Sequence, residues 1–115
     1  MAAPLEQVSI DLREDVVLAR VSGEVDLSNV LTVKEQILEA IPNTAIALVL
    51  DLSGSDYLDS SGVRLIFELY ERLSSRGQKL DLVVPDGSFI RRVLMLMEVQ
   101  RAVPMHSSLE EALRG

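Results

Sequence analysis

From Ala45 to Leu50 the chain is apolar without interruption. A short run with no polar alternation predicts a strand buried on both faces. It feeds directly into Asp51-Leu52-Ser53-Gly54-Ser55-Asp56-Tyr57-Leu58-Asp59-Ser60-Ser61-Gly62, read as a loop, and then into a long amphipathic stretch with helical spacing. The junction therefore falls at the carboxyl end of a central strand and the amino end of a helix, where open α/β sheets usually carry their sites. Two serine hydroxyls, an adjacent carboxylate and a glycine meet there.

Periodicity supplies the other elements. Leu5 to Leu12 alternates through Val8, Ile10 and Leu12 and predicts a half-buried strand. Arg13-Glu14-Asp15 is a polar turn, Val16 to Val21 returns antiparallel, and Ser22-Gly23-Glu24 breaks the pattern. A first helix carries the stripe Val30, Val33, Ile37 and Ile41, with Asp26 or Ser28 as cap and Pro42 as stop. The second spans about 61–76. It presents Ile66, Leu69, Tyr70 and Leu73 on one face, pairs Glu68 with Arg72, and ends at Arg76-Gly77. Leu80 to Val84 is a strand stopped by Pro85-Asp86-Gly87. A third helix, capped by Asp86 or Ser88, runs through Phe89, Ile90, Val93, Leu94 and Met97. Ala102-Val103 is expected as a short last strand, and Ser107-Ser108-Leu109-Glu110-Glu111 has the capping-box pattern of a final helix. Strands alternating with helical patterns predict an α/β fold. Its single mixed sheet has an antiparallel N-terminal hairpin, is otherwise mainly parallel, and is flanked by helices.

Composition narrows the function. A length of 115 residues suits one domain, 1–115, with one core, and 48% hydrophobic residues exclude a disordered chain. Without cysteine there are neither disulfides nor thiolate zinc sites. A net charge of -7 and only 3% aromatics make nucleic acid and anionic membrane poor partners. No apolar run reaches the length of a membrane span, and Met1-Ala2-Ala3-Pro4 lacks the features of a signal peptide. The expectation is a soluble, cytoplasmic protein.

Ser60 or Ser61 is expected to cap the second helix, leaving the other hydroxyl as a candidate phosphorylation site. A phosphate there would meet free amides at the positive end of the helix. Other chemistries fit poorly. The Gly-x-Ser-x-Gly elbow of a serine hydrolase is missing, and the single histidine, His106, is expected in a surface loop. Asp51, Asp56 and Asp59 lack a diagnostic metal-ligand spacing and are expected as a solvated acidic loop. Ser53-Gly54-Ser55 is too short for a phosphate-cradling loop and has no lysine. Met95, Met97 and Met105 are expected to fill the core rather than to form a partner surface.

With these residues laid out, the chain resembles the STAS domains, and among them the stand-alone anti-sigma factor antagonists of bacteria. The resemblance is carried by Asp51-Leu52-Ser53 and Leu58-Asp59-Ser60-Ser61-Gly62-Val63. It is supported by Ser22-Gly23-Glu24-Val25-Asp26, Arg76-Gly77, Ile90-Arg91-Arg92-Val93-Leu94 and the closing Ser107, Leu109, Glu111 and Ala112. It spans almost the whole chain. One departure is Glu98-Val99, where the family often has Gly-Leu.

The resemblance implies partner switching. The unphosphorylated protein would bind an anti-sigma factor that is also a serine kinase, freeing a sigma factor for stress-response or sporulation transcription. Phosphorylation of Ser60 would end the binding, and a serine phosphatase would reset it. The implied partner surface comprises Asp26, Asp51, Ser53, Asp59, Ser60, Ser61 and Gly62. No cofactor is implied for this chain, because ATP and magnesium belong to the kinase; the chain would be a regulator and not an enzyme. The alternatives are a STAS subunit of a stress-signalling scaffold or of a lipid-transport ATPase complex. A phospho-aspartate receiver using Asp51 is disfavoured, since no lysine occurs after Lys79 and the first strand supplies no acidic pair.

Overall fold

The structure, a computed structural model, describes residues 7–114. Leu5 and Glu6 of the expected first strand, and Met1 to Pro4, lie outside the described residues. In chain order the elements are β1 (Val8–Arg13), β2 (Val16–Val25), α1 (Val30–Glu39), β3 (Ala47–Leu58), α2 (Ser60–Ser74), β4 (Lys79–Val83), α3 (Phe89–Leu96), a 3-10 turn (Val99–Arg101), β5 (Met105–His106) and α4 (Leu109–Arg114). The five strands form one sheet in the order β1-β2-β3-β4-β5. β1 and β2 are antiparallel, and every other neighbouring pair is parallel, as the pattern of the sequence predicts.

Because the strands follow one another in order across the sheet, successive crossovers of one hand place their helices on one face. That face holds the main core. Leu48, Leu50 and Leu52 of β3 pack there with Val33 and Ile37 of α1, Leu65, Ile66, Leu69 and Leu73 of α2, and Ile90 and Leu94 of α3. The opposite face is covered by α4, whose Leu109 and Ala112 pack on Leu18, Val49 and Val83. Consecutive residues of β3 thus serve different layers, which is why its first half shows no polar alternation.

β2 and β3 are both longer than expected. β2 does not stop at Val21, because Ser22-Gly23-Glu24 stays in the sheet. The stretch 51–58, expected as loop, is strand. Pairing shifts from Arg20–Asp51 to Ser22–Gly54 and again from Gly23–Ser55 to Glu24–Tyr57. Each shift puts one extra residue on β3, so its 12 residues run beside 10 of β2. Bulges of this kind keep a polar, glycine-containing segment inside a ladder while bending it. Gly23 adopts the φ of +74° that one of these irregularities requires.

Several local expectations are corrected. β1 is more exposed than a half-buried strand, with only Val8 buried. The last strand is Met105–His106, not Ala102-Val103; Val103 instead lies fully buried in the core. Glu68 pairs with Lys34 of α1 at 3.5 Å rather than with Arg72. His106 lies on β5 and contacts Asp81 at 3.0 Å, so it is not a loop residue. Met95 and Met97 are exposed instead of core-filling, and Met105 is half-buried. Ser88, not Asp86, caps α3 by accepting from the Arg91 amide at 3.1 Å. Ser108 and Glu111 cap α4 as a box, with Glu111 reaching back to the Ser107 amide at 3.0 Å. At the family's usual glycine, Glu98 takes the left-handed conformation itself, with φ 60° and ψ 30°.

Candidate functional site

The site is the junction of β3 with α2. With β3 extended to Leu58, a single residue, Asp59, separates strand from helix. Asp59 also displaces the two serines from the capping role expected of them. Its extended backbone turns the carboxylate onto the first turn of α2, where Oδ1 accepts from the Ser61 amide at 2.9 Å and the Gly62 amide at 3.2 Å. The Ser61 hydroxyl donates to the same oxygen. The other oxygen accepts from the Leu27 amide at 3.2 Å, and the Asp59 amide donates to the Val25 carbonyl at 3.2 Å. One carboxylate thus pins the β2–α1 loop to the start of α2. The Ser61 hydroxyl is the main cause that holds the Asp59 pKa below its ordinary value; desolvation opposes it, and the Gly62, Ser61 and Leu27 amides add to the lowering.

These bonds divide the serine pair. Ser61 is half-buried and committed to Asp59. Ser60, the first residue of α2, is exposed, and among the described residues its hydroxyl has no partner. Gly62 is buried beneath them. A Cβ on Gly62 would sit 2.5 Å from Leu58 Cδ1 and 3.4 Å from Val25 Cγ1, so glycine is what lets α2 begin directly over the end of β3. Asp26 stands beside this junction in the β2–α1 loop. It does not cap α1 through its side chain. Its carbonyl accepts from the Asn29 and Val30 amides, and its carboxylate accepts from the Ser28 amide at 2.9 Å.

Asp51 and Ser53 are not part of this cluster. They lie lower on β3 and face the α4 side of the sheet, roughly 20–25 Å from Asp59 at the usual rise of an extended strand. Asp51 is buried. Its Oδ1 accepts from the Ser53 amide at 2.9 Å and the Ser53 hydroxyl at 2.6 Å, and its Oδ2 lies 3.7 Å from Arg20 Nε. The first bulge explains the arrangement: Ser53 has no β2 partner there, and β4 pairing ends at Asp51, so the carboxylate takes up the freed amide. With Ser9, Ser22, Gly54 and Leu109 these residues line a shallow depression. Asp51, Asp56 and Asp59 do not converge, and the described residues contain no group of three or more histidines or carboxylates placed to hold a metal ion.

The surroundings add residues that the sequence did not single out. Leu27 and Leu31 are 80% and 64% exposed, and Tyr57 is 43% exposed. Leu27 is tied to Asp59 through its amide, so this apolar surface borders Ser60. An isolated leucine between Asp26 and Ser28, outside the α1 stripe, was the available signal.

A sheet of this topology, with an aspartate-capped helix opening on a paired serine, defines a class of protein before any single member. The chain belongs to the STAS domain family, whose profile matches residues 7–112. It is 30% identical over 118 aligned residues to the anti-sigma-F factor antagonist RsfB of Mycobacterium tuberculosis, an alignment covering 100% of this chain and 93% of that protein. Its structure is similar to that of an anti-sigma factor antagonist from Mycobacterium paratuberculosis, with a TM-score of 0.83 at 25% identity, covering 93% and 90% of the two chains. It also shares its fold with the phosphorylated form of SpoIIAA, a Bacillus cell fate determinant. There the TM-score is 0.66 at 20% identity, over 93% of this chain and 96% of that one. Among the described residues no helix is long and apolar enough to cross a membrane.

Proposed function

We propose that this protein is an anti-sigma factor antagonist switched by phosphorylation of Ser60. The unmodified form binds a serine-kinase anti-sigma factor and so releases a sigma factor; the kinase phosphorylates Ser60, the complex separates, and a serine phosphatase restores the binding form. Residues 1–115 act as one domain, as substrate and regulator rather than as an enzyme. The observation that carries the assignment is the division of the serine pair: Ser60 offers an exposed hydroxyl without a partner among the described residues, whereas Ser61 is bound to Asp59. The names of the relatives supply the class of partner. The binding surface is assigned to Asp26, Asp59, Ser60, Ser61 and Gly62, with Leu27 and Leu31 at its edge. Asp51 and Ser53, on the α4 side, are assigned to the framework.

The switch follows from charge. A phosphate adds about -1.5 to -2 charge where the partner fitted a neutral hydroxyl. A charge left unpaired in an interface costs on the order of 2–5 kcal/mol, or roughly 30-fold to several thousand-fold in affinity. The decisive experiment mixes the protein with its cognate kinase-type anti-sigma factor, ATP and magnesium, and locates the modification by fragment mass spectrometry. One phosphate on Ser60, and none on Ser60→Ala, is expected, with Ser60→Ala remaining a permanent binder. A phosphate on Ser61, or normal phosphorylation of Ser60→Ala, refutes the assignment.

A further inference from the structure

Arg64 lies one helical turn beyond Ser60 on α2, exposed, and makes no ion pair among the described residues. Its natural helix neighbour, Glu68, is already held by Lys34 at 3.5 Å. Arg64 is thus an exposed cation in a chain of net charge -7, on the helix that Asp59 caps. We propose that Arg64 is the internal counter-ion of a phosphate on Ser60, pairing with it across one turn of α2. The inference rests on the assignment of Ser60 as the modified residue and adds how this chain accommodates the modification.

The spacing supports it. Residues four apart on a helix are neighbours, and the favourable order places the anion toward the amino end and the cation toward the carboxyl end. The guanidinium fork matches two phosphate oxygens. The helix amides expected from the sequence to receive the phosphate are largely engaged: those of Ser61 and Gly62 donate to the Asp59 carboxylate, and that of Val63 to the Asp59 carbonyl. Only the Ser60 amide is left in this turn, so the side chain of Arg64 is the nearest strong donor set that remains. The charged groups around the position are Asp59 beside it, Asp26 on the adjoining loop, and Glu68 with Lys34 further along α1 and α2. Asp59, its pKa held low, stays ionised while the phosphate titrates, and so repels the dianion that Arg64 attracts.

The test uses the full chain carrying phosphoserine installed at position 60 during synthesis, so no kinase is needed. The phosphorus-31 NMR pH titration is compared with those of Arg64→Gln and Arg64→Lys in the same phosphorylated chain. Loss of the pair in Arg64→Gln should raise the titration midpoint by about 0.4 pH, with Arg64→Lys in between. About 1 M salt should shrink the difference. Identical midpoints in the parent and Arg64→Gln overturn the proposal while leaving the Ser60 switch intact. Conversely, a kinase that modifies another residue refutes the assignment of Ser60 without touching this titration. Arg64 is exposed, so the unmodified Arg64→Gln chain should melt with the parent, and a large drop in its melting temperature would show a structural role instead.

Discussion

Asp51, within β3, and Asp59, just past its end, make the same local bonds. Each carboxylate accepts from the amide and the hydroxyl of the serine two residues on, Ser53 in one case and Ser61 in the other. Asp26 repeats the unit with Ser28. What differs is what each unit sits in. At Asp51 the chain stays in the sheet, the central residue Leu52 is buried, and Arg20 closes over the carboxylate. At Asp59 the chain leaves the sheet, a helix of 15 residues begins, and the central residue is the exposed Ser60. The hydrogen-bond motif is therefore a way of taking up loose amides, and it leaves an exposed serine hydroxyl only where the fold ends a strand and starts a helix.

The comparison can be broken in several ways. The largest effect is expected on affinity. Ser60→Glu should weaken binding to the anti-sigma partner by about 30-fold or more, whereas Ser53→Glu on the α4 side should change it less than about threefold. Isothermal titration of both variants decides this, and equal losses would merge the two units into one surface. Next comes packing. Gly62→Ala forces a Cβ to 2.7 Å from Leu58 Cγ, within the core, and should cost about 1–3 kcal/mol in denaturant unfolding. Gly54→Ala meets nothing closer than 3.4 Å and should fall within about 0.5 kcal/mol of the parent. Asp51→Ala removes the bond that secures the bulge and should cost about 1 kcal/mol, with binding preserved.

The smallest effect concerns pH. Because the folded-state pKa of Asp59 is lowered, its contribution is fully present above the ordinary carboxylate value of 3.8 and is lost as pH falls through the lowered folded value. Asp59→Ala should therefore melt a few degrees below the parent at neutral pH, and the two curves should converge in acid. A gap that persists below both pKa values would mean that Asp59 acts through its shape rather than its charge.

Most of the framework was legible in the sequence. The buried run before Asp51, the helical stripes of α1 and α2 and the stop at Gly77 are local patterns, and each fixes its element by the burial of its own residues. The Asp-Ser-Ser-Gly block marked the site for the same reason: strand, turn and helix follow one another within a few residues. What the sequence left open depends on distant partners. Ser22-Gly23-Glu24 and the stretch 51–58 have the composition of loops, and only their pairing with each other, through two bulges, makes them strands. Which of the two serine hydroxyls is bound at the helix start also needed that extension, since it left Asp59 alone at the junction, where its carboxylate claimed the amides and the Ser61 hydroxyl. Lys34 likewise reaches Glu68 from another helix, a pairing that the spacing within α2 did not predict. Periodicity is written along the chain; competition for a hydrogen bond or a counter-ion is decided only when separate segments meet.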